Sequence, residues 1–142
     1  DERPREGVVI VRGTSSTNTV VSILDDISSK YNVKIVSAIS WELFDMQDSQ
    51  YKSSIIGDQE WADSMVITNT GLNVMKNWIS NRVVADYSLS PDWDNRWRTG
   101  GSLEQIIDEA HLSPKWVMKS IDKFATDRSK RLEKLKQEIP EN

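Results

Sequence analysis

The stretch GVVIVRGTSSTNTVVSILDDISSKYNVKIVSAIS, Gly7 to Ser40, decides the fold class. It begins with a β-branched run closed at each end by glycine, the composition of a strand buried on both faces. TSSTN then offers several capping residues, after which Val20, Leu24, Ile27 and Tyr31 recur at helical spacing, with Lys30 in the last turn and Asn32 as a stop. VKIVSAIS is a second apolar run. A strand, a helix and a strand in so short a span imply a right-handed parallel crossover, since parallel strands are the ones that need a helical connection.

Outward from this unit the alternation continues. SMVITNT reads as a third strand, GLNVMKNWIS as a helix with Leu72, Met75 and Ile79 on one face, and NRVVADYSL as a fourth strand. Ser102 to Gln105 forms a capping-box pattern ahead of Leu103, Ile106 and Ile107, and HLSPKWVMKSIDKF places Ser113 as N-cap, Pro114 at the first helical position and Val117, Ile121 and Phe124 along the buried stripe. The expectation is a three-layer α/β domain with a mostly parallel central sheet of about five strands flanked by helices, ending in a helical segment. Its limits are a linker over 1–6, the α/β domain over 7–125 and a charged tail over 126–142, in which Leu132, Leu135 and Ile139 keep partial helical register before a loose end.

The composition excludes several function classes. With 142 residues the chain builds one ordinary domain, and its net charge of -4 gives no general attraction to nucleic acid or to an anionic membrane. No cysteine occurs, so neither a disulfide framework nor a thiolate metal site can form, which fits a cytoplasmic setting. No apolar run approaches the ~20 residues of a membrane span. The chain opens on DERPREG without an initiator Met, as a piece of a longer polypeptide would.

Few residues point to chemistry. His111 is the sole histidine, and a lone one between helices reads as a loop residue rather than a base. Zincin spacing and the G-x-S-x-G elbow are both absent. The turn Gly13, Thr14, Ser15, Ser16 and Thr17, between a strand and a helix N-terminus, is a candidate anion site, although it lacks the lysine of a P-loop and the further glycines of a dinucleotide fingerprint, so helix capping is the favoured use. Asp25 and Asp26 fall in mid-helix, away from the mouth of a parallel sheet, which argues against a phosphoacceptor pocket. Trp93, Arg96, Trp97 and Arg98 form a candidate interface loop, favoured over nucleic-acid stacking because Asp92 and Asp94 dilute the charge. Glu42, Asp45 and Asp48 lack a second titratable group to divide acid and base roles, so a structural use is expected of them.

SWELFDMQDSQY, which follows the second strand, resembles a segment of the C-terminal domain of transketolase, of the form S-W/F-E-L-F-D/E-x-Q followed by an aromatic. Ser40, Trp41, Glu42, Leu43, Phe44, Asp45, Gln47 and Tyr51 match it. VVIVRGTSST looks like that family's first strand and Thr-Gly-Ser turn, SMVITNTG like the strand leading to its Ala-Gly turn, and LSPKWVMKSIDKF like its closing Leu-Thr-Pro helix. The resemblance covers residues 7–125 and implies a non-catalytic, dimer-supporting domain of a homodimeric enzyme. That enzyme uses thiamine diphosphate and a divalent metal to move a two-carbon ketol unit between sugar phosphates, as in the pentose phosphate pathway. The motifs that hold cofactor, metal and sugar phosphate lie in the family's other two domains, so no catalytic, cofactor-binding or metal-binding residue is carried over to this chain. Trp41, Leu43 and Phe44 are expected to leave the second strand at its carboxyl end and wedge the next segment against the domain edge, with a short helix starting near Asp48.

Two departures open alternatives. PDWDNRWRTGG stands where transketolases carry a Phe-Gly-Ala-Ser type of loop, and TNTG where Glu-Ala-Gly is common. The related homodimeric pyruvate dehydrogenase component shares the third-domain architecture and often has a longer, Arg-bearing loop there, so it is the alternative within the superfamily. A free-standing α/β module binding a small anion through Gly13 to Thr17 is the alternative outside it.

Overall fold

The structure is a computed structural model and describes residues 3–94 and 101–138. Strand β1 (Gly7–Arg12) is followed by helices α1 (Thr14–Ser22) and α2 (Leu24–Lys30), then by strand β2 (Val33–Ser37). Three short helices, α3 (Trp41–Asp45), α4 (Ser49–Ile55) and α5 (Asp58–Ala62), lead into β3 (Ser64–Thr68). A 3-10 helix (Leu72–Trp78) and α6 (Arg82–Tyr87) follow, then α7 (Leu103–Glu109), α8 (Pro114–Thr126) and α9 (Arg128–Glu138).

The sheet is parallel in the order β2-β1-β3, with Val9 opposite Ile35 on one side and Met65 on the other. Alternation along the strands splits the core into two layers. Val9, Val11, Met65 and Ile67 face Val20, Ile23 and Ile27 of the α1–α2 turn and Val117, Ile121 and Phe124 of α8. Val8, Ile10, Val36 and Val66 face Ile56, Met75, Trp78 and Val84. Helical layers therefore cover both faces, which is why the strands read as continuous apolar runs. Gly7 is needed where β1 starts: its φ is 135°, and a Cβ there would lie 2.5 Å from the Phe124 ring.

Three expectations are corrected. Where about five strands were anticipated, the described residues form three. NRVVADYSL is not a fourth strand: Asn81 Oδ1 accepts the Val84 amide at 2.9 Å, and the capped turn becomes α6 with Val83 and Val84 side by side in the interior. Two adjacent buried valines suit a helix, whereas a half-exposed strand would alternate. Of this segment Leu89 alone forms a β-bridge, to Ile67, and Ser88 Oγ accepts the Val66 amide, so the outer edge of β3 is closed without another strand. Finally, the helix expected after β1 breaks at Ile23 (φ -114°, ψ 13°), which puts Asp25 and Asp26 in the first turn of α2 rather than in mid-helix.

The end of the chain is tied in more firmly than its composition suggests. Arg131 of α9 is buried, stacks with its guanidinium 3.6 Å from the Phe124 ring centre, and donates to the Asp63 carboxylate, the Phe124 carbonyl and the Glu6 carbonyl. Arg128 reaches the same Asp63 at 3.0 Å. Residues 3–6, expected as a linker, bond to the α2–β2 junction: the Glu6 carboxylate accepts the Asn32 amide at 2.6 Å, and Arg3 donates to the Ser29 carbonyl. The start of α9 and the segment leading into β1 thus meet at the amino end of the sheet.

Candidate functional site

The corner after β2 is built by local hydrogen bonds. Ser40 Oγ accepts the Leu43 amide at 3.3 Å and opens α3, Gln47 donates to the Leu43 carbonyl at 2.9 Å and closes it, and Asp48 accepts the Tyr51 amide at 2.8 Å to open α4. Trp41 and Phe44, three apart on α3, turn inward together. They meet Trp61 of α5 and Trp78 at the end of the 3-10 helix in a four-ring cluster, every pair of centroids lying between 5.2 and 6.1 Å. Trp61 Nε1 donates to the Trp78 carbonyl at 2.7 Å, fixing the cluster to the far side of the layer. Edge-to-face and tilted pairs at these distances add attraction beyond the area they bury.

Leu43 departs from the expected wedge. It is 62% exposed, because on a helix whose inward residues are Trp41 and Phe44 the position between them faces away. Glu42 and Asp45 also point out. The Glu42 carboxyl is held below the usual carboxylate range by its own backbone amide, then by the Ser40 hydroxyl and the Arg12 guanidinium. Lys52 lies 3.5 Å from Asp45. Sequence reading missed Trp61 and Trp78. The only available signal was that tryptophan is seldom left wholly in water, which names no partner.

The Gly13 turn stands at the carboxyl end of the sheet. Gly13 has φ 95°, and any Cβ there would overlap the Asn69 carboxamide, which closes over the turn from the end of β3. Arg12, Gly13, Thr14, Thr17, Asn18 and Ser37 line a cleft of about 390 Å³ beside it. Ser15 and Ser16 do not line this cleft, and the Ser16 hydroxyl is buried without a hydrogen-bond partner. Gly13 is the N-cap of α1 and has no side chain to offer, so the side-chain capping expected of this turn is absent.

Of the interface-loop candidates, Trp93 is half-exposed, and Arg96, Trp97 and Arg98 lie outside the described residues. Trp93 stacks on His111 at 4.0 Å, and His111 stacks on Trp116 of α8 at 3.8 Å. His111 itself has φ 61°. Its amide bonds to the Asp108 carbonyl and that of Leu112 to the Ile107 carbonyl, so the lone histidine occupies the left-handed position of a Schellman motif that ends α7. Among the described residues no group of three His, Cys, Asp or Glu could hold a metal ion, and no helix is long and apolar enough to cross a membrane.

A scan against protein-family models matches none of them, and a search of curated proteins returns no significant match.

Proposed function

We propose that this chain is the C-terminal, non-catalytic scaffold and dimer-supporting domain of a transketolase-like enzyme of the cytoplasm. In that enzyme the remaining domains hold thiamine diphosphate and a divalent metal and transfer a two-carbon ketol unit between sugar phosphates. One observation carries the reading: the segment that resembles the family serves architecture. Ser40, Gln47 and Asp48 are engaged in opening and closing helices, and Trp41 and Phe44 are engaged with Trp61 and Trp78. A corner so committed supports a role in joining a small parallel sheet to a larger assembly. The homodimeric pyruvate dehydrogenase type shares this logic and differs in the parent enzyme's substrate.

A second reading, the free-standing module for a small anion, is favoured by the strand order. In the order β2-β1-β3 the chain leaves β1 toward β2 and returns to β3 on the opposite side, so the Gly13 turn and Asn69 flank the switch point where open α/β sheets bind ligands.

Isothermal titration separates the two. The scaffold reading expects no heat from thiamine diphosphate with Mg2+ added to this chain, and no perturbation of the Thr14 to Thr17 amides by inorganic phosphate. Tight cofactor binding by the chain alone would overturn it. Phosphate binding confined to Thr14 through Thr17 would favour the module instead.

A further inference from the structure

The loop that follows Leu89 is fastened to the rest of the molecule at two points. Asp92 accepts the Ser90 hydroxyl and the Leu72 amide, the latter at 3.3 Å, and Trp93 lies on His111, which lies in turn on Trp116 of α8. The three rings form one near-parallel pile, with centroid separations of 4.0 and 3.8 Å and interplanar angles of 14° and 18°. The imidazole therefore has an indole face on each side. His111 holds this place with φ 61°, a backbone state in which a side chain is disfavoured and glycine is at ease.

A neutral imidazole between two indoles stacks as any planar ring does. An imidazolium there is a cation facing two electron-rich rings, and each contact gains cation–π attraction. Of the charged side chains on the described parts of these elements, Lys115 and Lys119, 5.2 and 5.0 Å from the Trp116 ring centre, oppose a third cation, whereas Asp92 and Asp94 beside Trp93 and Asp108 and Glu109 at the end of α7 favour it. Histidine is also the side chain whose ordinary titration falls between pH 5 and 8. We propose that Trp93, His111 and Trp116 are a proton-tightened clasp that fastens the loop over residues 90–94 to the junction of α7 and α8. A group that binds its proton more tightly in the closed clasp lends the closed form stability that is complete below the histidine range and is lost as pH rises through the closed-state midpoint. The loop is held in mildly acid solution and eased above neutrality, while the core stays as it is, since none of the three rings belongs to either layer.

Nuclear magnetic resonance of the whole labelled chain between about pH 5.5 and 8, above the ordinary carboxylate range, tests this. The His111 ring and the indole N–H groups of Trp93 and Trp116 are expected to titrate with one midpoint, while those of Trp41, Trp61 and Trp78 in the four-ring cluster stay still. Trp93→Leu, at a half-exposed position, should move the His111 midpoint down by about half a pH unit, roughly a threefold loss of proton affinity, and Trp116→Leu should do the same. In the parent chain the backbone heteronuclear NOE of Trp93 and Asp94 should fall as pH rises. In His111→Gly, a change that suits φ 61° and so preserves the fold, it should not depend on pH. A midpoint unmoved in both tryptophan variants would overturn the proposal. So would a parent loop whose motion is the same at both ends of the pH range, or one whose pH dependence survives in His111→Gly.

Discussion

Phe44 and Leu43 are neighbours in sequence with opposite duties. Phe44 touches Trp41, Trp61 and Trp78, so Phe44→Ala opens a hole in the aromatic layer and should cost about 3 kcal/mol, whereas Leu43→Ala should stay within about 0.5 kcal/mol of the parent. Urea unfolding of both variants checks this, and equal losses would mean that α3 is turned the other way. Gly7 is held to glycine by its φ of 135° and by the Phe124 ring, so Gly7→Ala is expected to destabilise by about 2 kcal/mol in the same assay. Glu60 makes the pH prediction. Burial pushes its carboxyl up, but the Lys34 ammonium at 3.0 Å and the Gly57 amide outweigh that and leave it below its ordinary 4.5. A carboxyl lowered on folding contributes stability that is complete above the unfolded-state value and is lost as pH falls through the folded one. The difference in melting temperature between the parent and Glu60→Gln should therefore be constant near neutrality and shrink below about pH 4.5, with a full size under about 1 kcal/mol because the pair is partly exposed.

At the scale of elements, legibility followed the locality of the signal. Helix α8 was readable because Ser113 and Pro114 announce its start and Val117, Ile121 and Phe124 hold one phase, and α7 because Ser102 and Gln105 cap each other at 3.2 and 3.0 Å. Strand β1 was readable because Val8, Val9, Ile10 and Val11 are all buried, which requires a continuous apolar run. Helix α6 was misread since Val83 and Val84 satisfy strand propensity equally well, and what decided the outcome was the Asn81 cap together with the closing of the β3 edge by Ser88 and Leu89. The four-ring cluster was half legible: α3 supplied two rings in one motif, and the other two come from elements far along the chain. Nothing local marks Arg131 as buried, because its partner Asp63 is remote in sequence. That pair fixes α9 to the sheet, with Asp127 of the α8–α9 junction accepting from Tyr87 at 2.9 Å; burial and then this bond raise the Tyr87 phenol above its usual range. Arg131→Met should cost about 3 kcal/mol by leaving Asp63 buried with only Arg128 beside it. Combining it with Asp63→Asn should recover about 2 kcal/mol relative to the sum of the single changes, read from a double-mutant cycle. Additive losses would show that the pair is not coupled.

Across the whole molecule the two ends of the sheet carry different loads. At the amino end, Arg131, Asp63 and Glu6 draw α9, β3 and the start of β1 into one buried knot. At the carboxyl end, the Gly13 turn and the aromatic corner leave clefts open to solvent, and the apolar surface is concentrated on that corner. Because β1, β2 and β3 contribute to both core layers, unfolding followed by tryptophan fluorescence and by far-ultraviolet dichroism should give coincident transitions, and separated midpoints would mean that the aromatic layer melts on its own. We propose that this domain braces a larger enzyme whose reactive groups lie elsewhere. Intact mass and sequence of the native polypeptide carrying Ser40 to Tyr51 decide it: one longer chain that includes a thiamine diphosphate-binding region is expected, and a native polypeptide confined to this domain would overturn the proposal.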